Sequence, residues 1–237
     1  MQMKNIVKIA VCDDEEGIRH SLIDVLKKIL EKEEILYEVY EFSSGVELLE
    51  SKENIQLLFL DMDMPGIDGI DVGMKIKETN PWCKIVIASG REDRFKETYK
   101  VKPLRFVSKP FEEEEIREAI LAYVVVTVGT EKLEVFKQRQ SFWIRQRDIR
   151  YIAAYNGYVE IMANDELYRK DVSLSQLEQN LEKEIFYKVH KSYIVNFFWV
   201  TKLEEKEVIV GKIRLPLSRR QRKDIKEAYM QFDVKYR

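Results

Sequence analysis

The sequence has 237 residues, more than one average domain of about 100 to 150 residues, so we expect two domains. The net charge of −2 combines an acidic part through Val124, with 26 acidic and 18 basic residues, and a basic remainder with 16 acidic and 22 basic residues, which indicates different partners for the two parts. No apolar run approaches the roughly 18 residues of a membrane span, and the N-terminus lacks a signal-peptide layout, so we expect a cytoplasmic protein without membrane contact. The cysteines and histidines lack zinc-type spacing, so we expect no zinc site.

The first half of the chain alternates strand patterns with helical patterns. Strands are expected at residues 7–12, 36–42, 57–60, 84–88 and 104–107. Apolar residues recur at helical spacing between them, for example over residues 18–30 and 67–76. This alternation predicts an α/β doubly wound fold, in which helices cover both faces of a five-stranded parallel sheet.

Polar side chains follow four of these strands. They are Asp13, Asp14, Asp61, Ser89 and Lys109. Each alone has an ordinary role as a helix cap or turn residue, but the carboxyl ends of parallel strands share one sheet edge, where ligands bind. Carboxylates gathered there need a cation, and an all-oxygen set favours Mg²⁺. A hydroxyl and an ammonium opposite them suit phosphoryl oxygens, so the pattern predicts phosphoryl transfer onto Asp61 as an acyl phosphate.

These residues resemble the receiver domain of two-component response regulators, which has a flavodoxin-like fold. The matching motifs are the acidic pair Asp13-Asp14, the phosphoacceptor motif DMDMPGIDG at residues 61–69, the switch hydroxyl of Ser89 and the lysine motif Ser108-Lys109-Pro110. The resemblance covers about residues 5–124. Serine stands where threonine is common in the family, and Asp63 adds a carboxylate two positions after the acceptor.

The resemblance implies that Asp61 accepts a phosphoryl group from the phosphohistidine of a sensor histidine kinase. The implied Mg²⁺ ligands are Asp13, Asp14, Asp61 and the backbone carbonyl of Asp63. Ser89 and Lys109 would contact the phosphoryl group. Phe106 matches the aromatic residue that turns inward on activation, and it also fits an ordinary core position.

An aspartyl-phosphate phosphatase is the enzyme alternative for the first half. Asp61-Met62-Asp63 fits the DxD motif of haloacid-dehalogenase-type phosphatases, in which the second Asp is a general acid and base. In those enzymes the motif lies on the first strand and the acidic pair follows it, whereas here the pair precedes it. A protein without enzymatic activity is therefore the favoured prediction.

The second half is patterned as a mainly-β region. Short strands are expected at residues 133–136, 141–144, 149–154, 158–162, 167–169, 186–189, 194–195, 200–203, 207–210 and 213–217. Asn156-Gly157 predicts a hairpin turn. One helix is expected after Ser173 or Ser175 and includes Leu181 and Ile185, and a last basic helix is expected over residues 219–231.

Two basic loops are candidates for nucleic-acid contact, because neither a helix-turn-helix pattern nor zinc-finger spacing is present. One is His190-Lys191-Ser192 and the other is the junction at residues 217–220. Lysine and arginine can neutralise phosphates or read guanine edges, and serine, asparagine and tyrosine can supply neutral contacts. Such loops are also common as solvated surface.

Residues 133–232 resemble the LytTR DNA-binding domain. The segment YKVHKSYIVN at residues 187–196 matches its central signature, and residues 151–159 and 215–219 match its flanking motifs. The resemblance implies an all-β core that inserts loops into successive major grooves. The implied DNA contacts are Lys191 and Arg219, with Asn156, Tyr158 and Ser192 as weaker candidates. Lys188 and Lys191 replace the arginines of the signature, and His190 fits both a buried structural role and a DNA contact.

The combined prediction is a phosphorylation-dependent transcriptional regulator in the cytoplasm. It comprises a receiver domain at residues 1–124, a linker at residues 125–132 and a LytTR-type domain at residues 133–237. Its expected partners are a sensor histidine kinase, a second copy of the chain after phosphorylation, and double-stranded promoter DNA with directly repeated sites. The alternative is a phosphorylation-gated module that binds protein or RNA.

Overall fold

The computed structural model describes residues 6–236. The chain divides into two compact units, with the boundary between Val126 and Thr127. None of the helices in these residues is both long enough and apolar enough to cross a membrane.

The first unit is the predicted parallel α/β layer structure. Its strands are β1 (Val7–Cys12), β2 (Tyr37–Phe42), β3 (Leu57–Leu60), β4 (Lys84–Ser89) and β5 (Arg105–Ser108). Its helices are α1 (Glu16–Lys32), α2 (Gly45–Glu50), α3 (Gly69–Thr79), a 3-10 helix (Glu92–Lys100) and α4 (Glu113–Thr127). All neighbouring strands pair in parallel in the order β2-β1-β3-β4-β5, which is the flavodoxin-like order. The predicted fold class is therefore confirmed.

Strand β3 is at the centre of this sheet because its four residues are apolar and wholly buried. Side chains alternate across a strand, so Leu57 and Phe59 pack into the core beneath one layer of helices, while Leu58 and Leu60 pack into the core on the other face. Burial on both faces is what an unbroken apolar run predicts. The first polar side chain after the run, Asp61, consequently leaves the sheet at its carboxyl edge.

The two cysteines occupy apolar positions of this unit, as expected for small core residues. Cys12 and Cys83 are both buried and carry free thiols. Burial raises the pKa of Cys12 to about 12 and the pKa of Cys83 to about 11. Both thiols therefore stay protonated near neutral pH, which disfavours metal binding.

The second unit is mainly antiparallel β structure. A seven-stranded sheet is formed by β6 (Lys132–Lys137), β7 (Gln140–Arg145), β8 (Ile149–Ala154), β9 (Val159–Ala163), β10 (Glu166–Lys170), β11 (Phe186–His190) and β12 (Tyr193–Asn196), in the order β11-β12-β8-β9-β10-β6-β7. A smaller sheet is formed by β13 (Val200–Leu203), β14 (Glu207–Val210) and β15 (Ile213–Pro216). The helices are α5 (Leu174–Glu178) and α6 (Arg222–Tyr236).

Three predicted boundaries differ from the structure. Helix α4 continues to Thr127 and β6 begins at Lys132, so residues 128–131 connect them, a shorter segment than the predicted linker. Helix α5 starts with the capping box of Ser173 but ends at Glu178, and Leu181 and Ile185 are buried beyond its end. Apolar spacing marks which residues are buried, whereas helix ends depend on backbone hydrogen bonds. The last helix begins at Arg222, after a 3-10 turn over Arg219–Gln221.

The last residue of the LytTR-like signature, Asn196, connects several backbone segments in the core of the second unit. Its side chain is fully buried, and its Nδ2 donates to the carbonyl oxygens of Ile149 at 2.8 Å and Gln146 at 3.2 Å. Its Oδ1 accepts from the backbone N–H of Phe198 at 3.0 Å. The side chain thus satisfies buried polar groups that would otherwise be costly.

We expect Asn196→Asp to destabilise the second unit by about 2–4 kcal/mol, because a buried carboxylate would face carbonyl oxygens and could not donate to them. Urea unfolding followed by circular dichroism measures the change. Asn164→Asp is the matched control, since Asn164 is exposed in the turn between β9 and β10. Equal stability of the two variants would contradict the assigned role of Asn196.

Candidate functional sites

The phosphoacceptor candidate Asp61 lies in a buried acidic pocket at the carboxyl edge of the parallel sheet. Its backbone N–H donates to the carbonyl of Cys12 at 2.9 Å, which continues the ladder between β3 and β1 by one residue. Asp61 is 4% exposed, and Lys109 Nζ lies 3.1 Å from its Oδ1. The same ammonium lies 2.6 Å from Asp13 Oδ2. The end of β5 thus brings Lys109 to the two carboxylates that follow β1 and β3.

Three carboxylates of this pocket could hold a metal ion. Ligand oxygens of Asp13, Asp14 and Asp61 all lie within 4.8 Å of one another. Asp13 and Asp61 are buried, whereas Asp14 is exposed, so the group opens towards solvent. With Lys109 as the neighbouring cation, the pocket has two more formal negative charges than positive ones, and one divalent cation would balance them. The all-oxygen donor set suits Mg²⁺.

The electrostatics of the pocket depend on burial and on Lys109. Burial raises the pKa of Asp61, and Lys109 opposes that increase. Burial alone would lower the pKa of Lys109, but its hydrogen bonds and ion pairs with Asp13 and Asp61 outweigh burial and raise the pKa. Lys109 therefore stays protonated near neutral pH and remains available to neutralise an anion in the pocket.

Ser89 lies at the end of β4, next to the strand that carries Lys109. It is buried, and its Oγ accepts a hydrogen bond from the backbone N–H of Arg91 at 3.2 Å. The backbone N–H of Lys109 donates to the Ser89 carbonyl at 3.3 Å, so the backbones of these two predicted residues meet directly. Phe106 is half-buried and packs against the apolar core on one face of the sheet, as a core aromatic does.

The carboxylate of Asp63 is not part of the acidic group found among the described residues. It pairs instead with Arg94, whose Nη1 lies 2.8 Å from Asp63 Oδ1. The Nη2 of Arg94 lies 2.7 Å from both Asp68 and Glu97. Arg94 therefore ties the loop after β3 to the 3-10 helix after β4. Arg94 could not be identified from the sequence, because residues 91–94 read REDR and carry no motif or apolar pattern.

Gly69 explains part of the spacing in the phosphoacceptor motif. It starts α3, and its backbone N–H donates to the Met62 carbonyl at 2.9 Å. A Cβ built on Gly69 would lie 1.9 Å from the backbone oxygen of Asp61 and 2.8 Å from the Met62 Cα. Only glycine allows α3 to begin this close to residues 61–68, the loop that carries the phosphoacceptor candidate Asp61 and is called the acceptor loop below.

The predicted DNA-contacting residues lie on three loops of the second unit that are joined by backbone hydrogen bonds. The Ala154 N–H donates to the Ser192 carbonyl at 2.8 Å, which joins the strand before Asn156 to the loop of Lys191. The Ser218 N–H donates to the Val189 carbonyl at 2.9 Å, which joins the residue before Arg219 to the strand before Lys191. These bonds gather the three loops into one loop surface.

The individual side chains on this loop surface differ in exposure. Lys191, Arg219 and Asn156 are exposed, whereas Ser192 and Tyr158 are half-buried. The predicted hairpin at Asn156-Gly157 is confirmed, with the Tyr155 N–H donating to the Tyr158 carbonyl at 2.9 Å and Gly157 at a φ of 83°.

His190, for which the sequence left a structural role and a DNA contact open, makes a hydrogen bond within its own loop. Its Nδ1 accepts a hydrogen bond from the Ser192 N–H at 3.3 Å, and its ring is half-buried. His190 therefore shapes the turn that presents Lys191, which is one of the two roles that the sequence left open.

The two sites indicate the class of protein, because a parallel α/β domain with an acidic pocket is followed by a β-rich domain with a basic loop surface. Family models agree with both halves. The response regulator receiver domain matches residues 9–121, and the LytTr DNA-binding domain matches residues 139–230. The chain belongs to the two-component response regulators with a LytTR output domain, and it acts as a transcription regulator.

Individual proteins are similar to the whole chain or to one of its two parts. The chain is 24% identical over 239 residues to the sensory transduction protein LytT of Bacillus subtilis, which covers 94% of this chain and 98% of that protein. It is 34% identical over 121 residues to sporulation initiation phosphotransferase F of Bacillus subtilis, which covers 49% of this chain and 93% of that protein. Among solved structures, one match is the LytTr DNA-binding domain of a putative methyl-accepting/DNA response regulator from Bacillus cereus. The match has 17% sequence identity and a TM-score of 0.39, and it covers 42% of this chain and 97% of that domain.

Membership implies the general partners. A receiver domain takes its phosphoryl group from a histidine kinase and uses Mg²⁺ at its acidic pocket, and a LytTR domain binds DNA. The family is typically non-enzymatic.

Proposed function

We propose that Asp61 is the phosphoacceptor and that its phosphorylation controls promoter binding by the second unit. The observation that carries this proposal is the placement of Lys109 Nζ 3.1 Å from Asp61 Oδ1, within a group of three carboxylates of which Asp13 and Asp61 are buried. A nucleophilic carboxylate needs its negative charge partly neutralised before it can approach an anionic phosphoryl group, and a fixed ammonium provides this.

In the proposed step, Asp61 attacks the phosphorus of a phosphohistidine on the kinase. The new bond joins Asp61 Oδ to phosphorus, the P–N bond breaks, and the electron pair stays on the imidazole nitrogen of the kinase. Asp13, Asp14 and Asp61, with the Asp63 carbonyl, would hold Mg²⁺, which supplies charge neutralisation for the phosphoryl oxygens. Lys109 would contact another phosphoryl oxygen.

The readout is proposed to start at Ser89. In this structure the Ser89 hydroxyl oxygen accepts a hydrogen bond from the Arg91 N–H. A charged phosphoryl oxygen on Asp61 would be a strong acceptor, to which the same hydroxyl could donate its hydrogen. A shift of Ser89 would alter the conformation of the sheet edge near Phe106. This sheet edge is the element that has two states in the proposal. The phosphorylated form would dimerise and bind directly repeated sites in promoter DNA. The protein would therefore act in the cytoplasm, together with the promoter DNA that it binds.

We assign the DNA contacts to the loop surface. Lys191 and Arg219 are proposed to contact phosphates or base edges, and Asn156, Ser192 and Tyr158 to add neutral contacts. Support comes from the exposure of the two cations and from the backbone bonds that join their loops. Lysine at position 191 supplies charge without the bidentate geometry of arginine.

The DNA for this test is the set of promoter fragments that the wild-type protein captures from genomic DNA. We expect the double variant Lys191→Ala, Arg219→Ala to bind these fragments at least about 10-fold more weakly than wild type and with a smaller salt dependence, because each lost phosphate contact lowers the salt slope by about 0.9. Gel shifts at several salt concentrations provide the measurement. The matched control replaces Lys132 and Arg145, which are cross-strand neighbours in β6 and β7 at the other edge of the sheet. An equal loss in both double variants would contradict a defined DNA surface, and preferential binding of RNA would favour the alternative function.

A further inference from the structure

Next to the loop surface, two tyrosines and an arginine form a stack that no motif of the sequence predicts. The rings of Tyr155 and Tyr158 are stacked, with centroids 5.2 Å apart and planes inclined by 10°. The guanidinium carbon of Arg169 lies 3.9 Å from the centroid of the Tyr158 ring. A guanidinium this close to an aromatic face gains from cation–π attraction, which also restricts its orientation.

The position of Arg169 follows from strand pairing. Strand β10 runs antiparallel to β9, and Arg169 pairs with Glu160. Strand β9 starts directly after the hairpin that carries Asn156, so Arg169 lies beside this hairpin at the same end of the sheet. Arg169 and Asn156 are thus on neighbouring segments although 13 positions separate them in the sequence.

The guanidinium of Arg169 retains donors for an external anion. Its side chain is 57% exposed, and its Nε lies 2.7 Å from Asp171 Oδ1. In the part of the chain that the structure describes, its two Nη groups have no hydrogen bond or ion pair with another residue. A planar guanidinium with free Nη donors fits the oxygens of a phosphodiester, and holding it in place beforehand reduces the entropy lost on binding.

We propose that Arg169 is a further DNA contact, which binds a backbone phosphate beside the Asn156 hairpin and is held in place by Tyr158. This inference rests on the proposed DNA-binding function and extends the loop surface to a fourth segment, the end of β10. Because a phosphate contact carries no sequence information, Arg169 contributes affinity and orientation at every site. Asp171 competes with the phosphate for the same guanidinium.

The test uses the full chain and a pool of random-sequence 40-base-pair duplexes, with dissociation constants measured by fluorescence anisotropy over a series of salt concentrations. Arg169→Ala should weaken binding by about 3- to 10-fold and lower the salt slope by about 0.9, as expected for one lost phosphate contact. Asp171→Asn should strengthen binding by about 2-fold or more, because it removes a competing and repelling carboxylate.

Arg150→Ala is the matched control. Arg150 also lies over an aromatic ring, at 4.6 Å from that of Trp199, and pairs with Asp165 at 2.6 Å. Asp165 is in the turn at the opposite end of β9 and β10, so this variant removes an equal charge away from the loop surface and should leave the salt slope unchanged.

The possible results distinguish the loss of the proposed Arg169 contact from a failure of the proposed DNA-binding function. If wild type binds but Arg169→Ala keeps the wild-type salt slope, Arg169 is not a phosphate contact, whether or not affinity falls. Weaker binding by Asp171→Asn would also overturn the inference. If wild type itself does not bind duplex DNA under any condition, the proposed DNA-binding function fails first.

Discussion

Asp61→Asn is expected to abolish incorporation of phosphate from acetyl phosphate and Mg²⁺. Asparagine keeps the size of the side chain and its position beside Lys109, but its amide cannot act as the nucleophile that forms an acyl phosphate. Phosphate-affinity gel electrophoresis of the full chain measures the phosphorylated fraction. Chelation of Mg²⁺ with EDTA should reduce incorporation into wild type as strongly, since three carboxylates without a divalent cation repel an incoming phosphoryl group.

Asp63→Asn is the matched control for this experiment. Its carboxylate is only two positions from Asp61 but faces Arg94 at 2.8 Å. The variant should therefore remain phosphorylated, although the lifetime of its acyl phosphate is free to change. Phosphorylation of Asp61→Asn at the wild-type level, or its loss only in Asp63→Asn, would refute Asp61 as the acceptor.

Gly69→Ala is expected to destabilise the first unit by about 2 kcal/mol or more and to reduce phosphorylation of Asp61. The added Cβ would lie 1.9 Å from the Asp61 backbone oxygen. Since the obstructing atoms belong to the backbone, a change of rotamer cannot relieve the contact. Either α3 or the acceptor loop must move. Thermal unfolding and the phosphorylated fraction are measured on the same preparation.

Gly17→Ala is the matched control, because a Cβ on Gly17 in α1 would meet no atom within 4 Å. Alanine there should be neutral or stabilising by up to about 1 kcal/mol, in line with helix propensities. A Gly69→Ala variant with wild-type stability and phosphorylation would show that the acceptor loop does not require this close approach.

The sequence was most informative about the parallel sheet. Its short apolar runs, alternating with helical patterns, favoured buried parallel strands, and the polar residues that follow them were expected at one edge because parallel strands share their direction. The proximity of Asp13, Asp61 and Lys109 could therefore be predicted although about 100 positions separate the first from the last. Helix ends were less predictable, as the early end of α5 at Glu178 shows.

The contacts of individual arginine side chains could not be predicted in the same way. Arg94 pairs with three acidic residues, and Arg169 stacks on Tyr158, yet neither arginine belongs to a sequence motif that indicates its partner. Their partners are set by the path of the loops and by strand register. The sequence shows only that Asn196 is the last residue of the segment that matches the LytTR signature. Its buried hydrogen bonds depend on the three-dimensional structure.

The most direct measurement is the affinity of the full chain for one captured promoter fragment, before and after phosphorylation, for wild type and Asp61→Asn. Wild type treated with acetyl phosphate and Mg²⁺ should bind about 5- to 100-fold more tightly, the usual range of coupling between two sites, and Asp61→Asn should show no increase. Equal affinity of fully phosphorylated and unphosphorylated wild type would contradict control of DNA binding through Asp61.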